Sequence, residues 1–145
     1  MSDTDTIIAL NRLLAVQCRS LPMYLVDASP RVSSGEQKAA EAMESIVADQ
    51  QAMAARVAAM VTARGGALDT GEFPMEFTDL HFLGFDFLLG EIIRYQHRDI
   101  AAVEQIVASV ADDPDAHDLA AEALGAERAH LEILEELTAS QNQPA

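Results

Sequence analysis

Lysine is almost absent from this chain: Lys38 is the only one, and nine Lys and Arg residues face 24 Asp and Glu. The formal net charge is −15, which repels phosphate backbones and anionic bilayers, so nucleic acid and membrane surfaces are excluded as expected partners. A single cysteine, Cys18, permits no internal disulfide and gives no sign of an oxidising compartment. Gly and Pro are sparse, 7 and 5, too few for a many-stranded sandwich with a turn every ten residues. No apolar run reaches membrane-spanning length. Met1 to Thr6 is polar and acidic, unlike a basic-then-apolar signal peptide, so the expected location is cytoplasmic.

What is present is apolar and periodic. Half of the 145 residues are hydrophobic, enough for one ordinary domain, residues 1–145, to bury a core without covalent staples. Four segments carry helical periodicity, at about 6–26, 35–64, 78–110 and 114–138. Pro22 predicts a kink in the first. Ser34 with Gln37 reads as a capping box for the second, and Gly65 and Gly66 close it in a left-handed turn. Asp113 and Pro114 start the fourth as N-cap and first helical residue. The tail after 138 is polar and predicted to fray. No strand-like alternation appears, so the fold class is all-α.

The links between segments are unequal. Asp27 to Ser34 and Ala111 to Asp113 are short, which suits antiparallel neighbours. Gly65 to Phe77 is long. At about 3.3 to 3.6 Å per residue it reaches roughly 43 to 47 Å. The second helix, at 1.5 Å per residue, is about 43 Å long. The link is therefore long enough to cross the whole bundle and start the third helix parallel to the second. A surface loop between antiparallel helices is the other reading.

Every segment carries a polar residue on its apolar stripe at about half height. These are Gln17 in the first, Gln50 in the second, Gln96 in the third, and Glu127 with His130 in the fourth. Glu91 is a competing register for Gln96. An unpartnered buried polar group costs about 1 to 3 kcal/mol, so four at one level should satisfy one another or surround something. Glu127 and His130, three apart, share one helix face. They form an ion pair or hold a single metal ion, iron or zinc. The glutamines read as a hydrogen-bonded network, because an amide both donates and accepts. Met53 reads as packing, and Tyr24 as a hydroxyl joining the network. His81, His97 and His117 have no motif partners. Cys18 reads as an inert thiol. The acidic run Asp112, Asp113, Asp115 and Asp118 reads as a cap for the fourth helix. The alanine-rich second helix permits close approach of another surface, so a homodimer or larger homo-oligomer is expected.

The Glu127-x-x-His130 pair, the helix lengths and the long link resemble the ferritin-like superfamily, most closely bacterioferritin, from about Leu10 to Leu137. The resemblance implies a four-helix bundle running up-down-down-up, with one long crossover between helices 2 and 3. It also implies a di-iron centre whose positions fall here on Gln17, Gln50, Met53, Gln96, Glu127 and His130, with Tyr24 beside it. Only Glu127 and His130 match the family's ligand types. Four positions depart from them. One carboxylate and one imidazole cannot balance two Fe²⁺ ions in a low-dielectric core. The expectation is therefore a non-catalytic structural or interaction module with no cofactor. The alternative is an iron-handling or oxidase protein using Glu127 and His130.

Overall fold

The computed structural model describes residues 3–28, 37–82 and 84–141. Among them every regular element is helical. The elements are α1 (Asp3–Cys18), α2 (Leu21–Ala28), α3 (Gln37–Ala63), a 3-10 helix (Met75–Phe82), α4 (Phe85–Ser109) and α5 (Pro114–Gln141). None of these helices is long and apolar enough to cross a membrane. Ser34 of the expected capping box, most of the 27–34 link and the end of the tail lie outside the described residues.

The first expected helix is two. The chain breaks at Arg19–Ser20, ahead of Pro22, and not at Pro22 itself. Ser20 caps the new helix, its Oγ accepting from the Met23 N–H at 3.2 Å. Pro22 then falls in the first turn of α2, where its missing N–H costs nothing. The third expected helix is also divided. Its start is the separate 3-10 helix, and α4 begins after Gly84.

The predicted caps hold at two other ends. Gly65 adopts φ +76°. The Gly66 N–H reaches Val61 O and the Gly65 N–H reaches Thr62 O, both at 3.0 Å, the paired bonds of a Schellman turn. Asp113 caps α5, accepting from the Ala116 N–H at 3.3 Å.

Side-chain contacts fix the directions of the long helices. Arg64 at the end of α3 pairs with Asp113 before α5 and with Asp3 at the start of α1. Further back along α3, Arg56 pairs with Glu122 at 2.7 Å and Asp49 with His130 at 2.9 Å. Positions thus fall along α3 as they rise along α5, and the two run antiparallel. Ser20 meets Gln50, so α1 and α3 are antiparallel too. The short link before α5 and the Gln96–Glu127 contact make α4 antiparallel to α5. It follows that α3 and α4 point the same way. α1 packs on α3 and α4, and α5 packs on α3 and α4.

The long connection between α3 and α4 is tied down along α1. The Asn11 amide donates to Ala67 O and accepts from the Asp69 N–H, both at 3.0 Å. Arg19 donates to Gly71 O at 3.0 Å and Thr70 Oγ1 at 3.1 Å, and its guanidinium lies 4.8 Å from the Phe73 ring centre. Phe73 then packs on Tyr24, and Phe77 on Tyr95 of α4.

Buried side chains form two apolar clusters. One holds Leu10, Leu13, Leu14, Met53, Val57, Ile100, Val103 and Leu124. The other holds Leu21, Met43, Ile46, Leu89, Ile92 and Leu134. Each fully buried leucine contributes about 2 kcal/mol of transfer free energy. The polar residues lie between the clusters on every long helix.

Gly65 isolates the backbone term, because a Cβ there would meet nothing within 4 Å. Gly65→Ala should lower unfolding stability by about 1 kcal/mol through the left-handed backbone alone. Urea denaturation measures this, and Gly65→Asn should lose less. An unchanged midpoint in Gly65→Ala would contradict the turn.

Candidate functional site

Gln17, Gln50, Gln96, Glu127 and His130 are all buried, each at 2% exposure or less. Periodicity placed them on core faces, and the antiparallel packing brings them to one level. Glu127 is the hub. Gln96 donates through Nε2 to Glu127 Oε2 at 2.6 Å and to the Glu127 backbone oxygen at 2.8 Å. Gln17 and Gln50 also lie close enough to favour the charged carboxylate. Neither of their amide nitrogens closes a hydrogen bond of normal geometry. One carboxylate is thus approached by an amide from each of the other three long helices.

Burial pushes the Glu127 carboxyl above the usual carboxylate range. The His130 ring opposes that rise, and so do the amides of Gln96, Gln17 and Gln50. His130 faces two ways. Its Nε2 is 2.9 Å from Asp49 Oδ2, and that carboxylate is largely exposed. Its Nδ1 has no partner among the described residues. Glu127 Oε1 and Gln96 Oε1 are likewise unpartnered.

Two contributors were not assigned to the layer by periodicity, and a third carboxyl, on the α4 stripe, lies beside it. Ser20 donates to Gln50 Oε1 at 2.7 Å and is itself buried. It sits in a helix break, where stripe counting stops. Asp49 occupies the solvent side of α3 and touches the layer only through its contact with His130 Nε2. Asp99, one turn from Gln96, is mostly buried. Burial first, and the Glu127 carboxylate second, push it up to about 7, against the Arg98 guanidinium.

The other expected residues have contacts of their own around the layer. Gln96 stands in it, whereas Glu91 pairs with Arg94 at 2.6 Å on the surface side. Met53 packs in the first apolar cluster. The Tyr24 ring lies 5.3 Å from Phe73 and 5.6 Å from Phe77. Cys18 is half-buried, and burial raises its thiol, which disfavours the thiolate. Asp113 is taken by Arg64, whose hydrogen bonds hold its carboxyl below the usual range. His97 is exposed, His117 lies 3.8 Å from Asp118, and the His81 side chain lies outside the described residues.

No family model, curated protein or solved structure matches this chain. Among the described residues, no three His, Cys, Asp or Glu side chains group closely enough to hold a metal ion.

Asp99 sets a pH dependence. An unfolded aspartate releases its proton near about 3.9, whereas folded Asp99 keeps it to about 7. The folded chain therefore binds more protons across that window, and stability falls as pH rises through it. Asp99→Asn should leave stability unchanged near pH 4 and raise it by about 1 to 3 kcal/mol above pH 7. Denaturation series at both values measure this. Equal effects at the two would contradict the assignment.

Proposed function

We propose that this chain is a ferritin-like four-helix bundle, up-down-down-up with one long crossover, in which an amide network replaces the di-iron centre. It acts as a non-catalytic structural or interaction module in the cytoplasm, as a homodimer or larger homo-oligomer. The helix directions support the bundle, since α3 and α4 run parallel and are joined by a connection tied along α1. The exposed Ala48, Ala52, Ala55 and Ala59 on one face of α3 support association with a second copy.

The approach of three glutamines to Glu127 is the observation that carries the reading. A pair of iron ions would need about four carboxylates and two imidazoles. The six family positions offer one carboxylate, one imidazole, neutral amides and a thioether, and Asp49 and Asp99 stand outside those positions, so this donor set does not fit that group. Amide N–H groups directed at the carboxylate compete with cations for it. Met53, at a family histidine position, is a soft donor that iron does not favour.

A second reading, metal binding or iron handling through Glu127 and His130, draws on one observation. Glu127 Oε1 and His130 Nδ1, a turn apart, both lack partners. Anaerobic Fe²⁺ addition, metal analysis and then exposure to air separates the two. The amide network predicts no iron pair and no rapid oxidation. Two irons per chain with fast oxidation would contradict it. A single bound ion abolished by Glu127→Ala would favour the second reading.

A further inference from the structure

The four unpartnered atoms around the Glu127 carboxylate are two donors and two acceptors. Gln17 Nε2 and Gln50 Nε2 are donors, and Gln96 Oε1 and Glu127 Oε1 are acceptors. Gln96 cannot turn over to change that count, and turning Gln50 over would strand the Ser20 hydroxyl proton. Ser20 donates to Gln50 Oε1, which leaves the Gln50 nitrogen facing the layer. Gln96 spends its nitrogen on two Glu127 oxygens, which leaves its own oxygen over. All four belong to side chains at 2% exposure or less, so bulk solvent does not satisfy them. Leaving them all unmade would cost several kcal/mol, at about 1 to 3 for each group.

The donor and acceptor count selects the ligand. A cation would accept nothing from the two amide N–H groups. An anion would be repelled by Glu127 and could give nothing to either oxygen. We propose that the layer binds one internal water molecule, which accepts from Gln17 and Gln50 and donates to Gln96 and Glu127. Internal waters typically make about three hydrogen bonds to buried groups of this kind. The fifth unpartnered atom, His130 Nδ1, lies a turn further along α5 and is outside this set. The inference rests on the metal-free reading of the site, and it assigns what the network is completed by.

Water-selective NOE and ROE spectra of the metal-free, ¹⁵N-labelled protein test it. The expected result is cross-peaks of a long-lived water to the side-chain NH₂ protons of both Gln17 and Gln50. Gln17→Met, which removes one donor at similar volume, should lose the water cross-peak at Gln50. If that variant fails to fold, the wild-type spectra decide alone. Absence of both cross-peaks in metal-free protein would overturn the bound water and leave the amide network standing. Two irons per chain in the metal assay would overturn the network and the water together.

Discussion

A carboxylate inside an apolar helical core must be compensated or it will not stay charged. Glu127 meets that requirement in part: the Gln96 amide bonds to it and those of Gln17 and Gln50 approach it, while burial still raises its carboxyl. Each glutamine reaches it only if its helix stands at the right height and rotation. The layer therefore ties the register of four helices to a single side chain. Leucine against leucine tolerates sliding by a fraction of a turn, whereas a directed amide does not. This is the registry role that buried polar groups fill in helical assemblies. The division of the core into two apolar clusters, one on each side of the layer, follows from the same constraint.

Other features fall into place around that hub. The break between α1 and α2 lets Ser20 turn inward, where it both caps α2 and orients Gln50. An uninterrupted helix would have spent the Met23 N–H within the helix. His130 links the buried layer to the surface through Asp49. The long connection is held by Asn11 and Arg19, whose side chains bond to its backbone as it passes along α1. Arg64 anchors the far end, gathering the start of α1, the end of α3 and the start of α5.

Much of this was legible in the sequence, for one physical reason. A helix that buries one face writes its core as a period, and any polar residue on that period stands out. Gln17, Gln50, Gln96, Glu127 and His130 were visible as interruptions of four stripes, and Asp113 and Gly65 as caps. The break at Ser20 was not visible, because the apolar pattern continues through Leu21 and Pro22 draws attention two residues too late. The 3-10 helix before α4 was hidden because its apolar residues continue the α4 stripe. Side-chain bonds to irregular backbone, such as those of Asn11 and Arg19, leave no period at all. Asp49 was hidden for the opposite reason: its position is correct for a solvated face, and its largely exposed carboxylate meets His130 from there.

Glu127 is the group on which the layer turns, and its titration reports its surroundings. With the Glu127 side-chain carboxyl ¹³C-labelled, its chemical shift can be followed against pH in the metal-free protein. A carboxyl enclosed in the core and approached by amides should change shift above the range of an exposed glutamate, since burial outweighs the donors around it. A midpoint at or below the exposed value would mean that Glu127 faces solvent, and would contradict its enclosure in the core.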